Sequence, residues 1–196
     1  MPASIIPAFL YYCFINGITP GPANLCSLAA SMNYGRRRAL IQWTGLFTGF
    51  AVTAFLAVLL NYFLGAALGD KVAVLRYIGA AYIVWLAIKL VRHTNQTTKN
   101  EAKECNFFTG LIVNLTNIKV LLFCITALST YVLPYTRSFG QLLAIGCFLP
   151  FTGPICNLVW LFAGSALRGL FEKHPLAVNL VMAASLIVCA VRIVIG

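Results

Sequence analysis

Three stretches of this 196-residue chain contain no Lys, Arg, Asp or Glu: Met1 to Gly35, Ala39 to Gly69 and Ser138 to Leu167. Crossing a hydrocarbon core of about 30 Å takes roughly 20 apolar residues, and each of these runs is long enough. One water-soluble core in so short a chain could not bury them all. Charged residues make up 9% of the sequence, against roughly 25% in soluble domains. In lipid the backbone must satisfy its own polar groups, which helices do locally. The sequence therefore predicts an all-α membrane protein.

About six transmembrane helices can be drawn, over roughly 4–32, 39–64, 72–91, 107–132, 139–167 and 176–195. Arg76 and Lys89 lie near the two ends of the third span, where their charged heads can snorkel to the interfaces. The only long connector, about 93–106 (HTNQTTKNEAKECN), is polar, and no second domain is expected within 1–196. The half-repeats, about 1–92 and 107–196, each hold three spans, and an odd number predicts opposite orientations. Both halves open on a span with a polar interruption, Asn16 to Asn24 and Asn114 to Lys119. Two inverted three-helix repeats with broken helices at mid-depth is a recurring transporter plan.

The formal net charge is +10, but the basic residues fall in short tracts between apolar spans. Topology explains them better than nucleic-acid binding, which is set aside. Loops after spans one, three and five hold nine of the fourteen Lys and Arg, including Arg36-Arg37-Arg38; the opposite side holds four, and Lys119 lies within a span. The richer side is expected to be cytoplasmic, with both termini on the other. The first span has no cationic lead or small-residue cleavage site and is read as part of the mature protein. Six of the seven cysteines fall inside spans with no C-x-x-C pair, so neither a disulfide framework nor a metal site is expected. No P-loop or hydrolase motif occurs, and neither enzymatic activity nor a cofactor is expected. Trp43, Trp85 and Trp160 read as packing or interface anchors, and His93 and His174 as solvated.

Chemistry concentrates at the interruptions. In Asn16-Gly17-Ile18-Thr19-Pro20-Gly21-Pro22-Ala23-Asn24 two prolines remove backbone donors and the glycines weaken the helix further. Such a break survives at membrane depth only where protein or water satisfies the freed groups, and those groups can receive a polar ligand. Asn16, Thr19, Pro20, Gly21, Pro22 and Asn24 are therefore candidate substrate-binding residues, with Asn114, Asn117 and Lys119 from the second interruption. A lysine about a dozen residues into a span costs at least ~2.5 kcal/mol on insertion scales and is a functional candidate for that reason. In span five, Pro150 and Thr152-Gly153-Pro154 loosen the helix, and Asn157 either completes the pocket or ties two helices together. No acid lies in any membrane interior, so proton handling falls to Lys119 or to Asp70, near the outer face.

The run Thr19-Pro20-Gly21-Pro22-Ala23-Asn24 after a short apolar lead resembles the first-helix signature of the LysE/RhtB amino-acid exporters. Gly79 to Lys89 (GAAYIVWLAIK) resembles the family's third helix. Val113 to Lys119 (VNLTNIK) sits where the family has an Asn-Pro-Lys element, with Ile118 in place of the proline, which predicts a milder second break. Thr126 to Pro134 and Ala190 to Ile193 are most similar to the branch that exports cysteine and O-acetylserine. The resemblance implies a multi-pass protein of the bacterial inner membrane exporting small neutral amino acids by a secondary, proton-driven mechanism, and the Lys and Arg count puts both termini in the periplasm. Its partners would be the amino-acid substrate, protons and the lipid bilayer, and a homo-oligomer is left open. The rival functions are efflux of homoserine, threonine or a metal cation, an intramembrane enzyme, and a membrane-anchored assembly factor. Scattered thiols speak against the metal, the lack of a paired nucleophile and base against the enzyme, and the lack of an extramembrane domain against the assembly factor.

Overall fold

The computed structural model describes residues 2–19, 21–64 and 105–174, with individual helical positions between 77 and 91 and between 176 and 191. Pro20, Asp70, Arg192 and connector positions 93–104 lie outside the described residues. All secondary structure among the described residues is helical. A 3-10 turn, Ala3–Ile5, leads into α1 (Ile6–Ile18), which Thr19 ends by turning to extended backbone at φ −63°, ψ 135°. Helix α2 (Pro22–Leu64) starts on proline, which suits a first turn whose N–H groups have no partner within the helix.

Helix α2 is two spans and not one. Gly35 has φ 79° and ψ 165°, a conformation open essentially to glycine alone. A straight helix would separate Cys26 from Gln42 by about 24 Å, yet Gln42 Nε2 donates to Cys26 Sγ at 2.9 Å. The chain therefore doubles back at Gly35, joining a first arm (22–34) to a second arm (36–64). The expected loop at 33–38 contracts to this one non-helical residue, and the three arginines begin the second arm on exposed positions.

Span four is likewise two helices, α3 (Phe107–Leu115) and α4 (Ile118–Tyr131), bent by 58°. Asn106 starts α3 by accepting from Thr109 N at 2.9 Å, an N-cap that satisfies one of the helix's free donors. Asn117 starts α4 in the same way, accepting from Lys119 N at 3.1 Å. The cap supplies the break where the family's proline is missing, so Ile118 does not keep the span straight. Span five comprises α5 (Phe139–Phe148), a 3-10 turn at Leu149–Phe151 that contains Pro150, and α6 (Gly153–Lys173). Helix α6 runs past the expected end at Leu167 and carries Arg168 within it. Ala80 and Ala87, two helical turns apart, are buried while Tyr77 and Trp85 are exposed; Ala183 and Ala190 repeat the pattern with Leu176 and Val181 exposed. Among the described positions of each segment the buried alanines are thus spaced to share one helix face.

Burial is inverted relative to a water-soluble protein. Asn24, Ser27, Gln42, Asn61, Asn114, Asn117, Lys119 and Asn157 are buried, while Tyr11, Phe14, Phe63, Phe108, Ile112 and Val159 are more than half exposed. Large apolar side chains outside and amides inside describe a surface made for lipid. The second arm of α2 and α3 approach closely: a Cβ on Gly45 would collide with Phe107 O, and one on Gly110 with Gln42 O. Small residues at a crossing let backbones touch, the usual way membrane helices associate. An aromatic cluster ties α1 to α4, with Tyr12 stacked on Phe123 at 5.5 Å and Phe9 edge-on to Tyr131 at 5.7 Å.

Candidate functional site

The two breaks meet. Lys119, at the start of α4, donates from Nζ to Thr19 O at 2.8 Å and to Thr19 Oγ1 at 2.9 Å. Lys119 is 7% exposed. Gly21 makes room for it: a Cβ there would lie 3.0 Å from Lys119 Cδ and 3.3 Å from Nζ. Two neutral oxygens of Thr19 hold an ammonium that has left water, which offsets part of its desolvation.

Every carbonyl freed at the end of α1 has a partner. Ile15 O accepts from Thr19 N at 3.1 Å and Thr19 Oγ1 at 2.8 Å, and Asn16 O from the same hydroxyl at 3.2 Å. Gly17 O and Thr19 O both accept from Asn24 Nδ2, at 3.1 and 2.9 Å. Ile18 O accepts from Trp160 Nε1 at 3.0 Å. Side chains of this chain thus satisfy the carbonyls that the sequence offers to a ligand, and this is why the break is stable at depth. Trp160 and Trp43, expected only as anchors, each serve a break: Trp43 Nε1 donates to Pro154 O at 2.9 Å.

A chain of amides extends from the first break into span five. Asn157 Nδ2 donates to Asn24 Oδ1 at 2.7 Å, and Ser27 Oγ donates to Asn157 Oδ1 at 2.6 Å. Asn157 lines the pocket and bonds across to α2. Asn114 Nδ2 donates to Leu46 O at 2.6 Å, fixing α3 to the second arm of α2. Asn16 donates back to Tyr12 O at 2.9 Å.

Between these groups lies a pocket enclosing about 490 Å³ of space not filled by atoms, part of it continuous with the exterior. Asn16, Gly21, Asn24, Asn114, Asn117, Lys119 and Asn157 all line it. Thr19 supplies the oxygens that hold Lys119, and Pro22 is partly buried at the start of α2. Sequence reasoning missed the apolar wall, formed by Leu46, Phe50, Val120 and Phe123. Gly153 admits the Phe50 ring, since a Cβ would sit 2.6 Å from its Cε2. Periodicity marks such residues as core and carries no sign that a cavity adjoins them. Among the described residues, no carboxylate lines the pocket and no cluster of three metal-ligating side chains occurs.

The chain is 36% identical over 195 residues to the cysteine/O-acetylserine efflux protein of Klebsiella pneumoniae, covering all of both chains. It is 32% identical over 193 residues to the protein of that name from Escherichia coli K12, covering 98% of this chain and 99% of the relative. A Shigella flexneri protein of the same name is 32% identical over 189 residues, covering 96% of this chain and 97% of the relative. No solved structure matches. Residues 14–196 match the LysE type translocator description, a stretch that contains both breaks and the whole pocket, and the chain belongs to that family.

Proposed function

We propose that the chain is a secondary carrier of the bacterial inner membrane that exports cysteine, O-acetylserine or a similarly small neutral amino acid by alternating access. The observation that carries this reading is the contact between the breaks, where a buried lysine donates to two neutral oxygens of Thr19. A substrate carboxylate makes a stronger, charge-assisted bond to an ammonium than a carbonyl or hydroxyl does. Its arrival would draw Nζ away from Thr19 and loosen a polar tie between α4 and the end of α1. Recognition and opening then become the same event. The pocket's amide floor and aromatic wall suit a zwitterion with a short side chain.

The two halves are proposed as inverted repeats of a single transporter domain, with α1 and the first arm of α2 answering α3 and α4. The connector 93–106 and the Arg36-Arg37-Arg38 turn are assigned to the cytoplasm and both termini to the periplasm, on the distribution of Lys and Arg. Proton coupling belongs to the same proposal and rests on Lys119 and Asp70 as the available ionisable groups. Names of full-length relatives support efflux over the enzyme and assembly alternatives.

The test is uptake of labelled cysteine and O-acetylserine into inverted membrane vesicles, with and without an imposed pH gradient. Uptake above that of vesicles lacking the protein, raised by the gradient, is the expected result. No uptake across a panel of amino acids would refute the reading, and uptake indifferent to the gradient would remove the proton.

A further inference from the structure

Asn114 carries an acceptor that has no partner among the described residues. Its Nδ2 is committed to Leu46 O at 2.6 Å, which fixes the orientation of the amide. Its Oδ1 is buried and has no hydrogen-bond partner. The residue is 2% exposed and lines the pocket. Buried polar atoms in folded proteins are nearly always paired, and more so away from water, so an orphan acceptor on a pocket wall calls for an explanation. The other orphans among the described residues, Ser31 Oγ and Asn61 Oδ1, belong to residues that do not line this pocket. At the neighbouring break the accounting is complete, down to the carbonyls of residues 15–19.

Charge sharpens the question. An α-amino acid brings both an anion and a cation to the site. Lys119 answers the anion, but no carboxylate among the described lining residues answers the cation. The substrate ammonium therefore has to be received by neutral oxygen. The carbonyls of residues 15–19 already have partners, and among the buried acceptors of the described lining Asn114 Oδ1 is fixed and vacant.

We propose that Asn114 Oδ1 receives the α-ammonium of the substrate and so makes this site selective for zwitterionic, monoamino acids. The inference rests on the export reading above and adds a residue-level basis for its substrate class. A neutral acceptor recognises the ammonium by hydrogen bonding. It offers nothing to a second cation, so dibasic amino acids gain no partner for the extra charge and carry it into a pocket that already contains Lys119. Compounds with the carboxylate but without the ammonium leave the orphan unsatisfied.

The experiment compares L-cysteine with 3-mercaptopropionate, which keeps the thiol and carboxylate and lacks the amine, with L-lysine as the dibasic control. Binding to the purified full-length protein in detergent is measured by calorimetry, and competition for cysteine uptake in inverted vesicles. The native protein is expected to bind cysteine at least tenfold more tightly than either of the other two. Asn114→Leu should bring the cysteine to 3-mercaptopropionate ratio close to one, chiefly by weakening cysteine. Asn114→Gln, which keeps both the amide donor and the acceptor, should retain the ratio and guards against a variant that fails to fold. Equal binding of both compounds by the native protein, or an unchanged ratio in Asn114→Leu, overturns the assignment of Asn114 alone. Binding of neither compound by the native protein overturns the export reading and this inference with it.

Discussion

Lys119 Nζ reaches across one hundred residues of sequence to bond both oxygens of Thr19, the carbonyl at 2.8 Å and the hydroxyl at 2.9 Å. The contact joins the first residue past α1 to the second residue of α4, so each helix break stabilises the other. It also puts the one described charge of the pocket where a ligand can compete for it.

Replacing Lys119 should separate transport from folding. In Lys119→Ala, Thr19 O still accepts from Asn24 and the Thr19 hydroxyl still donates to Ile15 O, so the first break keeps its bonds. Vesicle uptake is expected to fall to background while the amount of protein in the membrane stays near native. Lys119→Arg should not restore uptake, because Gly21 leaves room for a slim stem and the planar guanidinium is wider. Normal uptake by the alanine variant would remove Lys119 from the site.

Three glycines should fail in three different ways. Gly21→Ala presses only on the flexible end of Lys119, so melting in detergent should hardly change while transport drops. Gly110→Ala drives a methyl into Gln42 O, a backbone atom, and should sharply lower the yield of folded protein. Gly35→Ala meets open space but must adopt φ 79°, and should cost about 1–3 kcal/mol in unfolding free energy.

The amide chain offers a test of coupling. Asn24 and Asn157 bond directly at 2.7 Å, and each has a further partner in Gly17 O, Thr19 O or Ser27 Oγ. A double-mutant cycle with Asn24→Ala and Asn157→Ala, read by unfolding in detergent, should give a coupling energy of about 0.6–1.7 kcal/mol, the range for polar pairs between membrane helices. Additive effects would mean the two amides act independently.

Cys105 precedes α3 and lies outside the spans, where its Sγ donates to Gln42 Oε1 at 3.4 Å. Burial pushes its thiol pKa up, and the nearby Arg38 guanidinium pulls it partly back. Only the thiolate reacts with maleimide, so in a variant keeping this cysteine alone the rate should rise with pH about a midpoint above that of an ordinary thiol, ~8.5. Arg38→Gln should move the midpoint higher still and slow labelling at any one pH. Faster labelling in that variant would contradict the assigned electrostatics.

Much of the site was visible in the sequence because its residues offend the rules of a lipid-buried helix. Pro20, Gly21 and Pro22 cannot continue a helix, and Lys119 cannot lie mid-span without a reason. The second break was harder to judge, since Ile118 suggests continuity. Its cause is the capping side chain of Asn117, and a capping asparagine inside an apolar run looks like any other polar residue. Phe50 and Phe123 went unnoticed because a pocket wall and a packed core have the same composition.

Local chemistry along the chain was enough to determine the helical membrane character, the positions of the breaks and which polar residues stand near them, because each of these follows from backbone hydrogen bonding in lipid. What only the tertiary structure decided is which groups remain unused. Thr19, Asn24 and Trp160 consume the carbonyls at the first break, Asn157 bonds Asn24, and Lys119 settles on Thr19, leaving Asn114 Oδ1 unpaired among the described residues. Hydrogen-bond partners drawn from positions a hundred or more residues apart depend on how helices pack, and no local pattern records that.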